Sequence, residues 1–141
     1  MSNDAPLTIV IQAGGHSSRM GQDKALMPFR GQPLIARLVD RLRAGAAGNP
    51  PGYAIAVVSN RPDDYRFLGV PLYADLLPGA GPLGGLLTAL EACTSPLIAV
   101  VACDMPFLLP DLLLAQQALL LEAGADVIIP RLPEGLEPLH A

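Results

Sequence analysis

The chain has one lysine, Lys24, among nine cations; the other eight are arginines. It has no tryptophan and only two cysteines. Charged residues make up 16% of its 141 positions, on the low side for a globular domain. Each shortage removes a class of reading. Formal charge is −4 and the isoelectric point about 4.9, so no basic excess exists to neutralise a phosphate backbone. Nucleic-acid binding is therefore disfavoured. Cys93 and Cys103 form neither a CxxC pair nor a ligand cluster, and amid small or apolar neighbours they read as buried free thiols in a reducing compartment. The opening MSNDAPLTIVI lacks a cationic stretch and a long apolar one, so no signal peptide is expected. No apolar run reaches the length of a membrane span: LLPDLLLAQQALLLEAGA is broken by Asp111, Gln116, Gln117 and Glu122. A cytoplasmic protein with no nucleic-acid or membrane partner is the expectation.

What is abundant is apolar. Hydrophobic residues make up 51% of the chain and mean hydropathy is +0.41, which calls for heavy internal burial or an apolar surface meant for a partner. The length fits one domain with a proper core. Leu7–Gln12 is a short β-branched run, hence a buried strand. Pro33 opens a helix with Leu34, Leu38 and Leu42 on one face, and Gly45 is its natural stop. Tyr53–Ser59 is the second strand; residues 61–78 are irregular, with an extended piece near Val70–Tyr73. A helix from Pro82 to Cys93 precedes a third strand, Leu97–Cys103. Pro110 opens another helix that ends near Gly124, and Val127–Pro130 starts a fourth strand. Strands alternating with helices mean a parallel sheet in a layered α/β fold. The helix from Pro110 carries Leu112, Leu113, Leu114, Leu119, Leu120 and Leu121, apolar on nearly every side, so it is expected to be buried. Too little sequence follows to cover its second face. Residues 1–141 are expected to form one domain that lacks its C-terminal portion, a second subunit being the other way to cover the helix.

In parallel α/β sheets ligands sit at the carboxyl ends of the strands. Four segments occupy such places. The first, QAGGHSSRMGQDK, follows strand one. Gly14 and Gly15 permit positive φ and close backbone approach, and consecutive N–H groups there can form an anion-binding nest. Ser17, Ser18, Arg19 and Lys24 add donors and charge. The GK[ST] ending of a P-loop is absent. A lysine suits this place because an ammonium is a compact charge that can follow a phosphate, whereas guanidinium prefers a fixed fork. The second segment, VVSNRPDD, offers Asn60, either a base-reading amide or a backbone cap. The third, YADLLPGAGPLGGL, holds Asp75 and the glycines Gly79, Gly81 and Gly84, which match GxGxxG, with Asp104 twenty residues beyond. That is a dinucleotide fingerprint on paper, flawed by Pro82 inside the turn and by a glycine-rich segment already present on strand one. In the fourth, PLIAVVACDMPFLLPD, an apolar strand runs straight into Asp104, whose carboxylate can bind Mg²⁺ carried by substrate phosphates.

Together QAGGHSSRMGQDKAL, DLLPGAGPLGGL and ACDMPFL resemble the molybdenum cofactor guanylyltransferases, the MobA-type nucleotidyltransferases of molybdopterin guanine dinucleotide synthesis. The resemblance runs from Leu7 to about Pro110. It implies a three-layer α/β/α, Rossmann-like nucleotidyltransferase fold with a mostly parallel sheet. It puts Gln12, Ala13, Gly14 and Gly15 in the nucleotide-binding turn, Lys24 on the phosphates, and Asn60 and Asp75 at the nucleotide. Asp104 becomes the Mg²⁺ ligand, and Arg19, Lys24 and Asp104 the catalytic set. Gln12 departs from the usual leucine. The implied reaction moves GMP from GTP to the terminal phosphate of the molybdenum–molybdopterin cofactor and releases pyrophosphate. Implied partners are GTP, the molybdopterin-type cofactor, and molybdoenzymes or cofactor-insertion proteins. Alternatives are a cytidylyl or sugar-phosphate transferase sharing the first segment, a non-catalytic nucleotide-binding adaptor, and a dinucleotide-dependent oxidoreductase using Gly79, Gly81 and Gly84.

Overall fold

The computed structural model describes residues 6–14, 23–50, 52–132 and 135–136. The first strand, β1 (Leu7–Ala13), runs through the middle of a four-stranded sheet. Its side chains alternate between two apolar faces, as a strand covered on both sides requires. A short 3₁₀ turn (Lys24–Leu26) and a two-residue hairpin, β2 (Pro28–Phe29) with β3 (Gln32–Pro33), lead into helix α1 (Leu34–Gly48). Strand β4 (Ala54–Ser59), a 3₁₀ segment (Pro62–Leu68), strand β5 (Leu72–Ala74), helix α2 (Pro82–Ala92) and strand β6 (Leu97–Ala102) follow. Helix α3 (Pro110–Ala123) and a small hairpin, β7 (Arg131–Leu132) with β8 (Gly135–Leu136), complete the described chain. The main sheet has the order β5-β4-β1-β6, all parallel.

Ile9, Ile11 and Ala13 of β1 pack with Val57 of β4 against Ile35, Leu38, Val39 and Leu42 of α1, with Leu113 of α3 and Tyr65 in the same cluster. Val10 points the other way and packs with Ala56, Val58 and Ala89 of α2. The chain is therefore a three-layer α/β/α fold on a parallel sheet. Among the described residues no helix is long and apolar enough to cross a membrane.

Four expectations from the sequence fail. Helix α1 does not stop at Gly45 but continues to Gly48. Gly45 instead lets α1 pack closely: a Cβ there would lie 2.5 Å from Tyr53 Oη and 2.6 Å from Pro110 Cβ. Tyr53 fixes this corner by donating from its hydroxyl to the Leu42 carbonyl at 2.6 Å. Residues Val127–Pro130 form no strand, because no strand among the described residues pairs with them, and the pairing falls instead on Arg131–Leu132 with Gly135–Leu136. Helix α3 is not buried. Only Leu113 is, while Leu112, Leu119 and Leu121 are exposed, since α1 covers one side of α3 and no described element covers the other. The two thiols are free, and only partly buried.

Candidate active site

Because the four long strands are parallel, their carboxyl ends share one edge of the sheet. Successive strands β1, β4 and β5 step outward in one direction; β6 returns to the other side of β1. The strand order thus reverses between β1 and β6, where α/β sheets open a ligand crevice. Gly14 leaves β1 at this point and Asp104 leaves β6. The amide of Cys103 donates to the Gln12 carbonyl at 3.1 Å, which holds the two exits together.

Gly14 has φ of +81°, and a Cβ there would lie 2.8 Å from both the Asn60 side-chain oxygen and Ser59 Oγ. Only glycine meets both demands. The backbone at Gly14 is thereby drawn against the end of β4, so Asn60 stands beside the exit of β1. Ser59 is buried and its hydroxyl accepts from the Arg61 amide at 3.0 Å.

Downstream, Asp23 caps the 3₁₀ turn: its Oδ1 accepts from the Ala25 amide at 2.9 Å. Its Oδ2 accepts from the hydroxyl of Tyr65, which is fully buried. Burial, then the Asp23 carboxylate, pushes the Tyr65 phenol well above its ordinary range, so it stays a donor. Lys24, next to Asp23, projects exposed. Tyr65 is the residue that the sequence reading missed. Its signal was faint: Tyr65 and Leu68 stand three apart, one 3₁₀ turn, in a segment read as irregular.

Asp104 lies exposed just past β6. The thiol of Cys103 reports the charges around it. It is pushed up to about 12, first by burial and then by Asp104 and Asp23, while Lys24 pulls in the opposite direction. Among the described residues no group of three His, Cys, Asp or Glu side chains could hold a metal. A Mg²⁺ that arrives with a nucleotide needs only one or two carboxylates, the rest of its shell being phosphate and water. The donor set here, one exposed carboxylate beside a cationic segment, fits that mode.

The third segment shapes the crevice wall. The Asp75 amide donates to the Ser59 carbonyl at 2.9 Å, and its Oδ1 accepts from the Leu77 amide at 2.9 Å. Thr88, buried in α2, accepts from the Leu76 amide and donates to the Gly84 carbonyl, each at 2.9 Å. Gln12 turns its side chain to this wall: its Nε2 donates to the Pro82 carbonyl at 3.0 Å. A Cβ on Gly85 would lie 2.5 Å from the amide carbon of Gln12, and one on Gly84 would lie 2.7 Å from the Leu77 carbonyl oxygen. These glycines exist for packing.

That geometry removes the dinucleotide fingerprint. Its glycines should leave the strand at the reversal and its acid should end the neighbouring strand. Gly79, Gly81 and Gly84 instead follow β5, at one edge of the sheet, and Asp104 follows β6 at the opposite edge. Of the residues expected at the site, Gln12, Ala13, Gly14, Asn60, Asp75 and Asp104 lie along the carboxyl edge, and Lys24 lies in the 3₁₀ turn that Asp23 ties to Tyr65. Gly15, Ser17, Ser18 and Arg19 lie outside the described residues.

Comparison with known proteins places the chain among nucleotidyltransferases. Over 102 residues the chain is 44% identical to a probable molybdenum cofactor guanylyltransferase of Carboxydothermus hydrogenoformans, covering 72% of this chain and 48% of that protein. It is 41% identical over 128 residues to the molybdenum cofactor guanylyltransferase of Cupriavidus necator, covering 88% and 61%. The chain thus spans about half to three-fifths of these relatives. The crystal structure of molybdopterin-guanine dinucleotide biosynthesis protein A from Archaeoglobus fulgidus superposes with a TM-score of 0.70 at 25% identity, covering 94% of this chain and 64% of that one. Residues 9–141 match the MobA-like NTP transferase domain, and the chain belongs to that family of nucleotidyltransferases.

Proposed function

We propose that this chain carries the nucleotide-binding and catalytic residues of a guanylyltransferase. It transfers GMP from GTP to the terminal phosphate of a molybdenum–molybdopterin cofactor and releases pyrophosphate. The observation that carries the reading is that Gly14 and Asp104 leave β1 and β6 side by side at the reversal, tied by the Cys103 amide on the Gln12 carbonyl, in a chain of this family. The names of its relatives support the base and the acceptor.

The acceptor phosphate is ionised at neutral pH and attacks the α-phosphorus of GTP in line, so no strong base is required. The work of the protein is positioning and charge neutralisation. The Gly14 turn brings backbone N–H groups toward the phosphates. Lys24, and Arg19 as proposed from the sequence, neutralise the departing pyrophosphate. Asn60 and Asp75 border the nucleoside. Asp104 is the residue that would hold Mg²⁺, which when bound withdraws charge from the α-phosphate. Such a reaction belongs to the cytoplasm, and molybdoenzymes or cofactor-insertion proteins would receive the product.

Calorimetric titration with GTP, CTP and ATP, each with and without Mg²⁺, tests the reading on wild type and Asp104→Asn. GTP should bind at least about tenfold more tightly than CTP or ATP, a difference of about 1.4 kcal/mol. Asp104→Asn should abolish the Mg²⁺-dependent part and spare metal-free binding. Equal affinities for the three nucleotides would reduce the assignment to a nucleotidyltransferase of unspecified base.

A further inference from the structure

We propose that Phe29, Arg30, Arg37 and Phe107 form a docking platform, beside the transfer site, for the pterin ring of the acceptor and the negative groups attached to it. The inference rests on the guanylyltransferase reading and adds residues that take the second substrate.

The platform begins with a backbone oddity. The β2–β3 hairpin turns on Arg30 and Gly31, with φ of +50° and +89°. A turn with two left-handed residues favours Asn, Asp or Gly at its first position. Arg30 is the only non-glycine residue with positive φ among those described. Strain of this kind persists where the side chain has a use. Here the guanidinium is carried over two phenyl rings, its carbon 5.4 Å from the centroid of Phe29 and 5.6 Å from that of Phe107. Arg37, from the first turns of α1, approaches Phe29 at 5.4 Å. The two rings meet edge to face, with centroids 5.7 Å apart and planes at 80°.

Several features mark this cluster as a binding surface rather than core. Phe107 is 59% exposed and Arg30 is exposed as well. Among the described residues the one carboxylate ion pair is Arg66 with Asp63, so neither arginine of the platform is neutralised there. Position completes the argument. The hairpin follows the turn that carries Lys24, and Phe107 follows Asp104 by three residues. The Phe29–Phe107 contact therefore joins the two segments that bear the transfer chemistry. Asn60 and Asp75 lie on the other side of β1, at the ends of β4 and β5, so the platform is separate from the nucleoside wall. The exposed part of the Phe107 ring and the guanidinium planes accept a flat conjugated ring, and guanidinium without a carboxylate partner favours an anion. A pterin bearing a negative group has both properties.

The full chain is titrated with pterin-6-carboxylate, followed by the quenching of its fluorescence, and with uncharged 6-methylpterin and GTP in parallel. Arg30→Asn removes the guanidinium but keeps a residue that tolerates positive φ; Phe107→Leu removes a ring. Wild type should prefer pterin-6-carboxylate to 6-methylpterin by about fivefold or more, and each variant should lose about fivefold in affinity for the anionic pterin. GTP affinity and melting temperature should stay at wild-type values. The proposal is overturned if wild type binds neither pterin, if both variants bind pterin-6-carboxylate as wild type does, or if GTP affinity falls in step. Absence of GTP binding in wild type would sink the guanylyltransferase reading instead, and the pterin titration would still report on the platform.

Discussion

Replacing Lys24 by alanine removes a positive charge that neighbours both Asp23 and the reversal between β1 and β6. Loss of one preorganised charge contact costs about 10²–10³ in rate, so Lys24→Ala should lose that much turnover in a pyrophosphate-release assay. Lys24→Arg should recover only part, because a planar fork does not replace a mobile point charge. Tyr65→Phe tests the support beneath it. The ring still fills its pocket, but the Asp23 carboxylate loses its buried hydroxyl partner, and stability should fall by about 1–3 kcal/mol in urea unfolding. A Tyr65→Phe protein as stable as wild type would mean that Asp23 finds another donor. At this scale the sequence revealed the residues that reach outward. Gly14, Asn60, Asp75 and Asp104 follow strand ends, which are readable from apolar runs, and Lys24 is marked by composition, as the one lysine of the chain. It did not reveal Tyr65, because the three-residue spacing to Leu68 marks a buried turn and says nothing of a hydroxyl that reaches across to another strand connection.

Among the elements, α2 separates two glycines that look alike in GPLGG. A methyl group on Gly84 would meet a backbone carbonyl, that of Leu77, at 2.7 Å. Gly84→Ala should therefore cost about 1–3 kcal/mol, read as a lower melting temperature. A methyl group on Gly85 would meet the movable end of Gln12. Gly85→Ala should displace that amide from Pro82, and the double variant Gln12→Ala with Gly85→Ala should regain stability through the helix preference of alanine, about 1 kcal/mol. If Gly84→Ala and Gly85→Ala melt alike, the packing account of the two positions is wrong. The central elements were legible because each pairs an apolar run with a Gly or Pro boundary. Gly45 misled for the same reason: a glycine that serves close packing and one that ends a helix are the same letter. The strand expected at Val127–Pro130 failed because a strand depends on its partner, which periodicity cannot supply.

For the whole molecule, α3 and the alkaline limit give two more tests. Leu112, Leu119 and Leu121 present apolar surface that no described element covers. The chain should therefore bind a hydrophobic dye and associate as its concentration rises, and Leu112→Gln with Leu119→Gln should suppress both. A monomer with no dye binding would show that the face is covered. The Cys103 thiol is raised from 9.0 to about 12 in the folded chain. Its contribution to stability is thus fully present below the unfolded value and disappears as pH climbs through the folded one. Urea midpoints should decline across that interval, and Cys103→Ala should flatten the decline.

The position of β1 in the middle of the sheet also sets an order of assembly. Thr8 faces Ala54 and Leu7 faces Leu97, so pairing β1 with β6 closes about twice the chain length that pairing it with β4 does. The closure entropy differs little, by about 0.6 kcal/mol per doubling, but β6 also arrives last from the far side of α2. The early intermediate expected on this basis is β1, α1 and β4, with Gly14 already against Asn60. Asp104 joins only when β6 docks. A nucleotide that bridges Gly14 and Asp104 would then act as a template for the slowest contact in the chain, accelerating the final folding phase while leaving the first untouched.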